Sequence, residues 1–194
     1  ECMENKMPEI VRLLGMYDSF RHKGTNEETK VLEFQYGFRS VISSYEEAYT
    51  WLTICINSKE SLEDIGAKGI GIYNYLSKEA KQVYNNRFDI FFTLPGFEEE
   101  VFRYKFACIN KERFNPINFG ITYHNDGNNS ESIWKYDGAA CFHYANGTWN
   151  FSLYNDNGEV DCSKIAKQFG GGGHKGAAGF RVTNIEDFIL KHKI

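Results

Sequence analysis

Apolar residues recur at threes and fours through the first half of the chain and change to a tighter alternation near residue 88. Helices are therefore expected first and strands afterwards. Pro8 opens a helix whose stripe is Ile10, Leu13 and Leu14, and Gly15 is expected to end it. Residues 27–44 carry Val31, Leu32, Phe34, Phe38, Val41 and Ile42 in helical register, with a break expected at Gly37. Residues 45–57 continue with Ala48, Trp51, Leu52 and Cys55, as a third packing helix. Residues 58–87 read as one long connector, with Ile65, Ile70, Tyr73, Leu76, Ala80 and Val83 in register and Gly66, Gly69 and Gly71 weakening its middle.

Beyond that point, residues 88–92 and 101–109 read as strands joined across Leu94-Pro95-Gly96-Phe97. Glu98, Glu99 and Glu100 would alternate faces there, so they are read as a solvated edge and not as a metal site. A short helix is expected over 115–123 and an exposed loop over 125–130. Residues 138–144 and 149–154 flank Ala145-Asn146-Gly147-Thr148, and Asn-Gly is a strong hairpin cue. His143, alternating within that aromatic strand, is read as packed or at a rim. Ile165, Ala166 and Phe169 then share a helical face, four glycines follow, Ala177 to Val182 reads as a strand, and Asn184 caps a last helix.

The fold expected is α/β (α+β): a helical N-terminal segment over 1–57, a connector helix over 58–87, and a small mixed β-sheet domain with flanking helices over 88–194. With 194 residues and 42% hydrophobic content, a core is within reach. The net charge of −4 argues against indiscriminate binding of polyanions. Yet residues 162–185 contain no acid, while Lys164, Lys167, Lys175 and Arg181 are all positive, a pattern suited to one small anionic ligand. Five cysteines without C-x-x-C spacing read as reduced, packed thiols. No apolar run approaches the roughly 20 residues that span a bilayer, so a cytoplasmic location and no membrane partner are expected. Because the chain starts at Glu1 and enters helical pattern at once, it is expected to be cut from something longer.

The chemistry concentrates at residues 169–180, F-G-G-G-G-H-K-G-A-A-G-F. Gly171-x-Gly173-x-x-Gly176 matches a dinucleotide fingerprint, but that motif works between a strand and a following helix, and here the order is reversed. A phosphate loop also fails, since no Lys followed by Ser or Thr stands at the required spacing. What remains is a concave run of backbone N–H groups able to hold an anion, with His174 and Lys175 at its edge, or else a tight turn with no ligand.

Gly170 to Phe180 resembles the signature of the C-terminal, DHH-associated domain of DHH-family phosphoesterases, which include nanoRNA-degrading oligoribonucleases, RecJ-like exonucleases and cyclic-dinucleotide phosphodiesterases. Ser152-Leu153 and Asp161-Cys162-Ser163 also resemble that domain, with Tyr154 where an arginine is usual. Residues 14–21 resemble a D-x-D-x-W stretch near the end of the catalytic domain, with Met16 and Phe20 replacing its first aspartate and its tryptophan. The resemblance implies that residues 1–57 are a remnant of the catalytic domain and 88–194 the substrate-binding domain. It further implies substrate contacts at Gly171, Gly172, Gly173, His174, Lys175 and Ser152, a metal-ligand role for Asp18, and manganese as the metal of the whole protein. Asp18 reads equally as a residue turning the chain after its helix. The implied partner is a short oligonucleotide or nucleotide phosphoester, with a homodimer possible. The chain holds no Asp-His-His and no Asp-x-Asp, so it is not expected to hydrolyse anything by itself, and the catalytic motifs are expected upstream of Glu1. Two other classes stay open: a non-enzymatic nucleic-acid-binding module like the domain appended to alanyl-tRNA synthetases, and a purely structural interaction domain.

Overall fold

A computed structural model describes residues 7–95, 101–112, 114–119, 123–124, 133–134, 136–155 and 158–193. The fold is mixed α/β, and the chain divides into two compact units, residues 1–79 and 80–194. Among the described residues no helix is long and apolar enough to cross a membrane.

The first unit is helical. It contains α1 (Glu9–Asp18), α2 (Glu28–Ser40), α3 (Tyr45–Asn57) and the larger part of α4 (Lys59–Asn85). Their shared core is Ile10, Leu13, Val31, Phe34, Phe38, Cys55 and Ile65. Gly15 does not end α1; the helix continues to Asp18, and Ser19 closes it by donating its N–H to the Gly15 carbonyl at 3.1 Å. Nor does Gly37 break α2. A Cβ on Gly37 would stand 2.0 Å from the Ile65 carbonyl oxygen, and one on Gly69 would stand 1.7 Å from that of Glu33. The two helices thus cross with their backbones in contact, and the glycines that weaken each helix in isolation are what lets the pair pack. Arg12 grips Glu27 with both terminal nitrogens, at 2.7 and 2.8 Å, and also bonds Glu9, tying α1 to the start of α2. The same guanidinium holds the Glu9 carboxyl down at about 2.

The second unit is built on a sheet of β1 (Phe88–Pro95), β2 (Val101–Asn110), β5 (Gly138–Ala145), β6 (Thr148–Tyr154), β8 (Ala177–Val182) and β7 (Gly172–Gly173), in that spatial order. A separate two-stranded ribbon pairs β3 (Tyr123–His124) with β4 (Ile133–Trp134). Among the described strands, only β2 and β5 run parallel. Asn146 and Gly147 both take positive φ, 53° and 78°, as the two-residue hairpin turn between β5 and β6 requires. One sheet face buries Ile90, Phe92, Phe106, Phe142, Phe151, Leu153 and Phe180 beneath α5 (Cys162–Gln168) and α6 (Ile185–His192). The opposite face is covered at one side, where Ala80, Val83 and Tyr84 join Phe114 and Tyr136 over Ala107, Ile109 and Cys141.

One further expectation changes here. Among the described residues, the stretch expected as a helix over 115–123 forms a 3-10 turn, Pro116–Phe119, and Tyr123 belongs to β3. Asn115 caps that turn, its side-chain oxygen accepting the Ile117 N–H at 3.2 Å. The Gly96–Phe97 part of the expected turn, the acids 98–100 and the loop 125–130 lie outside the described residues. Cys55, Cys108, Cys141 and Cys162 are free and buried, as their apolar surroundings suggest.

Candidate functional site

The glycine run is placed by its two neighbours. Asp161 caps α5, accepting the N–H of Ser163 at 3.0 Å and the Ser163 hydroxyl at 2.6 Å, which holds its carboxyl below the ordinary carboxylate range. At the other end of α5, Gly170 takes φ 73°, its N–H donates to the Lys167 carbonyl, and the Gly171 N–H reaches back to Ala166 at 2.9 Å. That is a Schellman closure, and Gly170 supplies its left-handed residue. Gly171 then passes so close to β8 that a Cβ would stand 2.1 Å from the Gly179 oxygen. Gly173 takes φ 144° and would collide with Ala178. Gly172 alone of the four has no such demand: its φ is ordinary and a Cβ there would meet nothing within 4 Å.

The expectation of a cradle of free peptide nitrogens is therefore corrected. Gly170 and Gly171 donate to the end of α5, and the His174 N–H donates to Ala177 at 2.7 Å. His174 and Ala177 exchange both of their bonds, so by the alternation of an antiparallel ladder Gly172 and Gly179 form the next bonded pair. The same alternation turns the Gly173 N–H outward along the open edge of the sheet. Four glycines leave one donor exposed, because three of them serve the cap, the close approach and the ladder.

What the run does create is a smooth strip of sheet. Cys141, Ser152, Gly179 and Gly172 stand in one cross-strand row, and His143, Asn150 and Arg181 stand in the next. Successive residues alternate faces, so both rows share the face turned away from α5 and α6. A hollow of about 470 Å³ opens beside Arg181, lined by Asn150, Ser152, Gly170, Gly171, Gly179 and Arg181 among others. Its size is that of ordinary small-ligand sites. Among the described residues, the Ser152 hydroxyl and the Arg181 guanidinium have no hydrogen-bond or ionic partner. Arg181 also turns its own N–H toward this edge, beyond the point where β7 ends.

His174 and Lys175 are exposed at the other end of the ribbon. They are not loose: the Lys175 carbonyl accepts the Cys162 N–H at 3.0 Å, and the Gly176 carbonyl accepts the Asn155 N–H at 2.9 Å. The turn is thus pinned to the start of α5 and the end of β6. Gly171, Gly172, Gly173, His174 and Lys175 lie along β7 and the turn into β8, and Ser152 stands opposite Gly179 on the neighbouring β6. Lys164 and Lys167 are not with them. They line a separate hollow with Leu94, Phe102, Tyr104 and Asp161, because α5 lies over the other face. The sequence patch of four cations is in fact two pairs.

Asp18 is exposed at the end of α1. Among the described residues no group of three or more His, Cys, Asp or Glu side chains converges as a metal site. These residues do not fit a dinuclear manganese centre. The sequence placed Arg181 only in a basic patch, without assigning it to the site, and gave no sign of Asn150. The signal available was the alternation that sets Arg181 two residues beyond Gly179.

No family model and no curated protein matches the chain. Among solved structures, a pGpG-specific phosphodiesterase, PggH, from Vibrio cholerae is similar with a TM-score of 0.46 at 11% identity. The match covers 92% of this chain and 64% of that one, so the chain spans less than two thirds of that enzyme's solved length.

Proposed function

We propose that the strip of sheet beside the glycine run binds the phosphate of a short oligonucleotide or related phosphoester, as the substrate-holding part of a DHH-type phosphoesterase. The observation that carries this reading is the convergence of an unpartnered guanidinium and an unpartnered hydroxyl, Arg181 and Ser152, on one hollow whose floor is glycine. Arg181 offers a planar fork matched to phosphate oxygens. Ser152 adds a hydroxyl donor, and the outward N–H of Gly173 adds a fixed one. His174 donates to or orients an oxygen, and Lys175 adds charge. Bond cleavage does not fall to these residues, since among the described residues Asp18 has no companion ligands; two-metal hydrolysis needs a set of carboxylates and imidazoles from elsewhere in such an enzyme.

The test is titration of the chain with 5′-phosphorylated adenylates, followed by fluorescence anisotropy or calorimetry. Saturable binding that weakens with salt is expected. Absence of saturable binding by any phosphate-bearing ligand contradicts the reading and leaves an interaction domain. In an assembled hydrolase, His174→Ala should depress turnover while leaving the melting temperature nearly unchanged.

A further inference from the structure

In the helical unit, α2 and α4 touch through Gly37 and Gly69, and beside that contact a hollow of about 670 Å³ opens between α4 and the first turns of α1 and α2. Its size lies within the range of small-ligand sites. Lys59, Leu62, Glu63, Gly66, Ala67 and Ile70 line it from α4; they recur at threes and fours, so one face of that helix forms its side for about three turns. Leu13 and Phe34 close the other wall. Gly66 keeps the floor low. A Cβ there would meet nothing within 4 Å, so, unlike Gly37 and Gly69, Gly66 answers no demand of the chain's own packing while it weakens the helix that carries it.

Five charged side chains stand around this hollow, and four of them already have partners. Glu9 binds Arg12 at 2.6 Å and Lys30 at 2.8 Å, and Lys59 pairs with Glu63 at 3.3 Å. Glu33 is left over: it is half-buried, and among the described residues it makes no hydrogen bond and no ion pair. Glu9, Glu33 and Glu63 against Lys30 and Lys59 also leave the lining one charge negative. An anionic guest is therefore disfavoured, and a neutral apolar guest would strip water from a carboxylate without pairing it. We infer that the hollow is a second ligand site, which takes an apolar monocation. The apolar body lies against Leu13, Phe34, Leu62 and Ile70, and one ammonium or guanidinium head meets Glu33. A polycation brings further charges for which no partner is left. The site lies wholly within the helical unit and shares no residue with the glycine strip.

The experiment titrates the chain at neutral pH with phenylbutylamine, phenylbutanol and phenylbutyrate, which give one apolar body a positive, a neutral or a negative head. Calorimetry should show saturable binding of the amine, about tenfold tighter than the alcohol, as a hydrogen bond to a charged group allows. The carboxylate should bind weakest. Glu33→Gln should erase the margin between amine and alcohol. Gly66→Leu, which projects a side chain into the open space, should weaken all three probes without lowering the melting temperature. In ¹⁵N spectra the amides of Gly66 and Ala67 should shift with the amine. Circular dichroism and melting curves check the fold, and Glu33→Gln decides the matter if Gly66→Leu melts early. Equal binding of amine and alcohol, an advantage of the amine that survives Glu33→Gln, or no saturable binding of the amine overturns the proposal.

Discussion

Gly172 and Gly179 face each other across the β7–β8 ladder, and neither puts a side chain on the sheet face that Ser152 shares. On Gly179 a Cβ would press against the Phe151 oxygen at 2.9 Å, so the fold requires that glycine. On Gly172 a Cβ would meet open space. The pair thus combines a structural glycine with one whose bareness serves only what lies above it.

Two neighbouring substitutions separate those roles. Gly171→Ala must push against the Gly179 carbonyl and Phe180, and overpacking of this kind typically costs about 1–3 kcal/mol. A clear drop in the thermal midpoint is expected. Gly172→Ala should leave stability within about 0.5 kcal/mol while weakening binding of a phosphorylated adenylate. Thermal melts and titrations on the same preparations check both, and unaltered binding in Gly172→Ala would count against the bare floor.

A second contrast lies in the helical unit. Gly69→Ala drives a methyl into the Glu33 carbonyl where α4 crosses α2, so destabilisation of at least about 1–3 kcal/mol is expected. Gly71→Ala, two residues along the same helix and in open space, should stabilise by about 0.5–1 kcal/mol. Urea midpoints of the two variants should move in opposite directions.

Acidification should destabilise the fold in a window set by two histidines. His22 and His192 each donate Nδ1–H to a backbone carbonyl, of Met16 and Phe91, while Nε2 is buried with no partner among the described residues. Burial pushes both imidazoles below their ordinary value of 6.5, because a proton on Nε2 would find no acceptor. The unfolded chain takes up those protons first. Stability is therefore complete above pH 6.5 and falls as pH drops through and below it. Glu9, held at about 2, adds its own loss only below 4.5. Denaturation midpoints at pH 7.5 and 5.5 measure the first effect, and His22→Asn or His192→Asn should flatten the difference. A fold equally stable at both values would contradict this account.

The buried thiols give a kinetic check. Desolvation pushes Cys141 and Cys162 up to about 12, and Cys108 and Cys55 also upward. Since the thiolate is the reactive form, alkylation of these four in the native chain should wait on opening of the fold. Labelling that is rapid at neutral pH, without denaturant, would be inconsistent with their burial.

Much of this fold was legible in the sequence. The change of period near Phe88, the Asn146-Gly147 turn, the Asn184 cap and the apolar face of α5 are local signals, and local bonds fix those elements. The roles of Gly37 and Gly69 were not legible, because a close helix crossing is a relation between distant segments and looks in sequence like a weakness. The same holds for the basic patch. Lys164 and Arg181 are both acid-free neighbours of the glycines along the chain, but a sheet has two faces, and only the register assigns each cation to one of them. The N–H cradle was misjudged for a related reason: spacing counts donors, while the cap and the ladder decide which are already used.

The central claim is that phosphate sits on the glycine strip, between Arg181 and His174. Its most direct test is a two-dimensional NMR titration of the ¹⁵N-labelled chain with adenosine 5′-phosphate and its 5′-phosphorylated trinucleotide. The account predicts saturable amide shifts at Ser152, Gly172, Gly173, His174 and Arg181, with Lys164, Lys167 and Gln168 unmoved. Shifts confined to the α5 side of the sheet, or none at any ligand concentration, would contradict it.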